Sequence, residues 1–212
     1  MGLPLAGRAV GARQAVTITA SDGHPQRRPH GATITDMNSL TRAAILNALD
    51  LLAKRLPPDQ PQVDLIVVGG AAMVLLFGAR ESTKDVDAFH LNPEARRPVA
   101  EAATSVAEAL ELPGDWLNDA AKGYVHGLAL GAVLLDTPAL RVRTLSIPQL
   151  LAMKLSAWRD DLDVEDARRL LTECRGGRDD VWRALEPHVV PGREMKARYA
   201  FEDLWESEHG TA

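Results

Sequence analysis

The sequence predicts an α/β fold: a small mixed sheet flanked by helices, followed by an all-helical C-terminal part. Three stretches point to it. Residues 63–68 form a short, β-branched apolar run that stops at Gly69 and Gly70, as a buried strand does before a tight turn. Residues 71–77 then have the length of a two-turn helix closed by Gly78, and residues 85–91 suit a second short strand. From Ser146 onward, helical periodicity replaces every other pattern.

Bulk properties set the limits. The chain has 212 residues, 46% of them apolar, enough for one packed domain or one domain with a helical appendage. A net charge of −5 excludes a general polyanion binder, so nucleic-acid contact would need a local basic patch. A single cysteine, Cys174, excludes an intramolecular disulfide framework and suits a reducing cytoplasm. No apolar run approaches the roughly 18 residues of a membrane span, so no membrane association is expected.

Taken in order, residues 1–36 are rich in Gly, Pro, Arg and His, which predicts a disordered leader with a brief strand at 15–18. They lack the apolar h-region of a secretory signal, and Met37 offers an alternative start. The α/β core is expected over 37–146. Ser39 caps a first helix carrying Leu40, Leu46, Leu49 and Leu52, which ends before Pro57 and Pro58. The strand–glycine–helix–strand segment follows. Residues 92–112 predict a helix with Val99, Ala103, Val106 and Leu110 in one stripe. Residues 115–131 read as loop with a short helix. Residues 132–135 and 140–145 read as a hairpin around Asp136, Thr137 and Pro138. Residues 147–212 form the helical part, with helices at 147–159, 162–171, 181–185 and 194–205 packed on the core.

Two places carry chemistry. Asp85 and Asp87 alternate along a strand, so both face one side and repel each other unless a cation or proton intervenes. Oxygen-only ligands suit Mg²⁺ or Mn²⁺, which take their remaining ligands from water and substrate phosphates. Gly69 and Gly70 let backbone approach a ligand, and the helix start behind them presents unpaired N–H groups to an anion. The second place is Lys154. At 3.6 residues per turn it falls in the middle of the apolar stripe of Ile147, Leu150, Leu151, Leu155 and Trp158. A lysine there either snorkels to water or points into a cleft where it meets phosphate as a compact charge.

The order Gly69-Gly70, short helix, then Arg80 and Ser82-Thr83-Lys84-Asp85-Val86-Asp87 resembles the signature of the nucleotidyltransferase superfamily, in which a Gly-Gly or Gly-Ser turn precedes an Asp-x-Asp strand. Lys154-Leu155, Ala157, Arg159 and the later Asp163-Val164-Glu165-Asp166 are most similar to the AbiEii/AbiGii-type toxin nucleotidyltransferases and related bacterial proteins of unknown function. The resemblance covers about residues 63–171. It implies a sheet of nucleotidyltransferase type and transfer of a nucleoside monophosphate from an NTP to an acceptor. Asp85 and Asp87 would hold two Mg²⁺ ions. Gly69, Gly70, Lys84 and Lys154 would contact the nucleotide, and Asp163 would activate or orient the acceptor. It also implies tRNA or a protein as acceptor and an antitoxin as partner.

Other signals have plainer readings. Asp136 is a turn residue, or a third metal carboxylate if the hairpin lies beside the Asp85 strand. Lys84 screens the two aspartates or contacts phosphate. Trp116, Asn118 and Asp119 match a Trp-Leu-Asn-Asp stretch of the relatives and read as packing and capping. His90 and His126 are structural. Arg168, Arg169, Arg175 and Arg178 are an ordinary helix surface or a basic patch for RNA. Two alternatives stay open: a nucleotidyltransferase-like module that binds without turnover, and kinase-like phosphoryl transfer.

Overall fold

A computed structural model describes residues 39–210; the expectations for 1–36 lie outside them. Five strands make a mixed sheet: β2 (Val63–Val67), β4 (Val86–His90), β5 (Leu117–Asn118), β6 (Leu130–Asp136) and β7 (Leu140–Leu145), in the order β5-β4-β2-β7-β6. β2 runs antiparallel to β4 and parallel to β7, β4 is parallel to β5, and β6 is antiparallel to β7. A separate two-stranded pair joins β1 (Leu40–Thr41) to β3 (Ser82–Thr83). The mixed α/β architecture therefore matches the expected class.

Alternation decides which residues the sheet buries. Val63, Leu65, Val67, Val86, Ala88, Leu140 and Val142 are all sequestered. They share one core with Ile45, Leu49 and Leu52 of α1 (Arg42–Arg55) and Val99, Ala102 and Val106 of α3 (Arg96–Leu110). Register places Asp87 opposite Asn118 and Ile66 opposite Phe89, on the other face. Helix α2 (Gly69–Phe77) starts directly at the glycines and stops at Gly78, whose φ of 58° closes it.

The C-terminal helices are α4 (Ile147–Ala157), α5 (Asp161–Leu171), α6 (Arg178–Leu185) and α7 (Glu194–His209). Ser146 caps α4 by accepting from Gln149 N–H, and Asp160 caps α5 by accepting from Asp163 N–H. Leu151, Leu155, Leu170, Leu185 and Phe201 from these helices join the same core cluster as the strands.

Several local expectations are corrected. Thr41, not Ser39, caps α1, because Ser39 precedes the residues that pair as β1. The helix expected over 147–159 ends at Ala157: Trp158 takes a left-handed φ of 39° and turns the chain sharply into α5. The stretch from 115, read as loop with a short helix, holds the 3₁₀ turn Ala120–Tyr124 and, unexpectedly, the edge strand β5. Two residues paired by register alone leave no periodic signal to read.

Trp116 anchors that edge. It is fully buried, its indole donates to Ala103 O at 3.0 Å, and its own carbonyl accepts from Val86 N–H. Trp116→Phe should therefore cost about 1–3 kcal/mol, from a lost buried hydrogen bond and a partial cavity. Urea denaturation checks this; unchanged stability would contradict the anchoring role.

Candidate functional site

The site begins where β4 meets α2. Asp85, immediately before β4, and Asp87 within it are half-buried on the same side. Asn118 Nδ2 donates to Asp85 Oδ2 at 2.8 Å, and Ala121 N–H donates to Asp87 Oδ1 at 3.1 Å. Each carboxylate thus keeps one oxygen, Asp85 Oδ1 and Asp87 Oδ2, without a hydrogen-bond partner among the described residues. Gly69 packs directly on Asp87: a Cβ there would lie 2.9 Å from Asp87 Oδ2, and its φ of 63° suits glycine. Gly70 is as confined, with Thr83 Oγ1 2.8 Å from where its Cβ would stand.

Lys154 lies across from them. Its Nζ is 3.0 Å from Asp163 Oδ1 and 2.6 Å from Asp166 Oδ2, both acids being almost wholly buried. These partners, not snorkelling, account for a lysine inside the apolar stripe. Arg159 donates to Asp163 Oδ2 from its backbone N–H at 3.1 Å and from Nε at 3.0 Å. Arg80 holds Asp166 with a fork, Nε to Oδ1 at 2.9 Å and Nη2 to Oδ2. Two buried carboxylates are thereby shared among three cations.

The two halves join into a closed ring. Asp87 reaches the 3₁₀ turn through Ala121, and Tyr124 of that turn has the Arg159 guanidinium 5.8 Å from its ring centroid. Arg159 leads to Asp163, Asp163 to Lys154, Lys154 to Asp166, and Asp166 to Arg80. Arg80 Nη1 then returns to within 3.3 Å of where a Gly70 Cβ would stand.

The charges act on each other through this ring. Burial, with the Asp85 charge behind it, pushes the Asp87 carboxyl above its ordinary 3.8, although Ala121 N–H, Lys154 and Arg159 oppose the shift. Burial would raise Asp163 too, but the Arg159 hydrogen bond and the Lys154 charge outweigh it and hold the carboxyl below 3.8.

Two oxygens from two carboxylates fit one Mg²⁺ or Mn²⁺, with water and phosphate completing the shell. No cluster of three or more metal-ligating acids, histidines or cysteines occurs among the described residues. Asp136 does not join as a third carboxylate. The hairpin lies on the far side of β2, and Asp136 accepts there from Gln62 at 2.9 Å and Arg141 at 3.2 Å.

Other sequence-predicted residues fall elsewhere. Lys84 is exposed. Arg168, Arg169 and Arg178 pair with Glu208, Glu173 and Glu202, so they do not form a free basic patch. Four side chains of the site were not singled out from sequence as site residues: Arg80, Asn118, Tyr124 and Asp166. Arg80 and Asp166 lie inside the quoted motifs, and Asn118 inside the Trp-Leu-Asn-Asp stretch, but nothing in their spacing marks a charge or hydrogen-bond partner 33 to 86 residues away.

Among the described residues no helix is long and apolar enough to cross a membrane. A family model described as a nucleotidyltransferase of unknown function (DUF6036) matches residues 44–173, more than half of the chain. Nothing among curated proteins or solved structures matches it.

Two measurements follow from the opposed acids. Asp163 is more acidic folded than unfolded, so its contribution is complete above 3.8 and is lost as pH falls through the lower folded value. Asp163→Asn should cost about 2–4 kcal/mol at pH 7 and flatten the acid limb of the stability curve; equal acid limbs would contradict the pairing. Asp87 has the opposite sign: its ionisation costs stability as pH rises above 3.8. Asp87→Asn keeps the Ala121 hydrogen bond and should raise the metal-free Tm at pH 7 by about 1–2 °C; a lower Tm would contradict a cost of ionising Asp87 from burial and the Asp85 charge.

Proposed function

The chain belongs to this family of nucleotidyltransferases of unknown function, and from that premise we propose that it moves a nucleoside monophosphate from an NTP to an acceptor hydroxyl, releasing pyrophosphate. The observation that carries this reading is the closed ring: one chain of contacts links the glycine turn, Asp87 and Lys154, although Gly69 and Lys154 lie far apart in sequence.

Each part has a task in that reaction. Gly69 and Gly70 let Asp87, Thr83 and Arg80 pack against the start of α2, whose unpaired backbone N–H groups would receive a phosphate. Asp85 Oδ1 and Asp87 Oδ2 would hold one Mg²⁺ or Mn²⁺. When bound, the ion supplies Lewis-acid polarisation of the triphosphate. Asn118 and Ala121 N–H fix the orientation of the two carboxylates, leaving those oxygens to face the cleft. Lys154 has three N–H donors, of which Asp163 and Asp166 take two; the third is left for a phosphate oxygen.

Asp163 serves this scheme by orienting Lys154 and Arg159. Both of its oxygens are engaged and its carboxyl is held acidic, so it is poorly suited to take the acceptor's proton. Asp85 Oδ1 and Asp87 Oδ2 suffice for one ion; a second would draw most of its ligands from the triphosphate and water.

The finer reading rests on the Lys154–Asp166 motif. Its likeness to the AbiEii/AbiGii-type toxins supports tRNA or a protein as the acceptor and an antitoxin as the partner. A second reading, nucleotide binding without turnover, has one observation in its favour: Lys154 is already neutralised by two acids.

Labelled NTP, Mg²⁺ and either total RNA or protein extract separate the readings. The α-phosphate label should be incorporated, and Asp85→Ala should lower incorporation at least about 100-fold. Binding without incorporation would support the second reading, and transfer of the γ-label would indicate kinase chemistry. Unaltered incorporation by Asp85→Ala would remove the metal assignment.

A further inference from the structure

Asp166 is a tightly held acid of the ring: its side chain is 2% exposed, and it touches both Lys154 and Arg80. Lys154 comes from α4 and Arg80 from the loop between α2 and β3, so Asp166 joins the helical part to the glycine turn. Arg80 spends Nε and Nη2 on this carboxylate. Its remaining nitrogen, Nη1, stands beside Gly70 and has no hydrogen-bond partner among the described residues. A guanidinium gripped on one edge presents its other edge in a fixed direction, which a lone flexible arginine does not.

We propose that Asp166 is a positioning residue that sets Lys154 and Arg80 as a matched pair of phosphate-binding cations, with Arg80 Nη1 contacting the phosphate chain at the glycine turn. This rests on the nucleotidyl-transfer reading above. It adds a binding residue, Arg80, and gives the buried acid a function beyond stability.

The charge balance makes the claim testable. Removing the Asp166 charge leaves the cleft more positive, so bulk electrostatics alone would tighten triphosphate binding. Positioning requires the reverse, because both cations lose the group that aims them.

Binding of ATP, GTP, CTP, UTP and inorganic tripolyphosphate, each with Mg²⁺, is measured by calorimetry at low and moderate salt. Wild type is compared with Asp166→Asn, Arg80→Lys and the double variant. Asp166→Asn should weaken binding about tenfold, and Arg80→Lys, which keeps the charge but loses the fork, by a similar factor. The double variant should lose no more than the weaker single, because both disrupt one unit. Equal or tighter binding by either single variant, or multiplied losses in the double, would overturn the proposal. Should Asp166→Asn fail to fold, Arg80→Lys carries the test alone: a loss of about tenfold supports the proposal and unchanged affinity overturns it. A wild-type protein that binds none of the five ligands would overturn the nucleotidyl-transfer reading itself, and this inference with it.

Discussion

Everything in the cleft depends on two carboxylates that cannot be buried alone. Asp163 and Asp166 sit one turn apart on α5, each about 2% exposed. An uncompensated charge at that depth is costly, and its neutralisation requires cations brought from elsewhere. Lys154, Arg80 and Arg159 supply them, and in doing so they fix where α4, the loop after α2, and the α4–α5 turn lie. The turn is itself strained, with Trp158 in a left-handed conformation that costs a side-chain-bearing residue about 1–2 kcal/mol. That conformation delivers the Arg159 backbone N–H to Asp163, so the ion cluster and the strained turn support each other.

The opposite wall obeys a simpler rule. Period-two alternation along β4 puts Asp85 and Asp87 on one side while Val86 and Ala88 go into the core. Burial first, and the Asp85 charge second, hold the Asp87 carboxyl above its ordinary range, so the pair is under-neutralised. The buried acids across the cleft carry a surplus of cations, and the paired acids of β4 carry a surplus of negative charge. Such an arrangement is matched to a ligand that brings both signs, a metal ion and a polyphosphate, rather than to either one alone.

What was legible in the sequence follows from the range of the signal. The β2–glycine–α2–β4 segment was readable because strand alternation, the turn glycines and the helix stop all act within a few residues. Lys154 stood out for a similar reason: a charge at the centre of an apolar stripe breaks a local rule. The closing contacts were not readable. Arg80 meets Asp166 across 86 residues and Asn118 meets Asp85 across 33, and no periodicity encodes either distance. The edge strand β5 is two residues long and exists by pairing with β4, so it too leaves no pattern. Asp136 kept two readings, turn residue or metal carboxylate, for the converse reason. A turn carboxylate looks the same at either end of a sheet, and only the strand order places it away from β4.

The most direct test of one shared cleft is a crystal of the protein soaked with Mn²⁺ and a non-hydrolysable NTP. Anomalous scattering should place manganese against Asp85 Oδ1 and Asp87 Oδ2, with the phosphates running past Gly69 and Gly70 towards Lys154. Density for the triphosphate elsewhere, such as the roughly 440 Å³ cavity lined by Asp50, Leu56 and Pro138, would contradict the account.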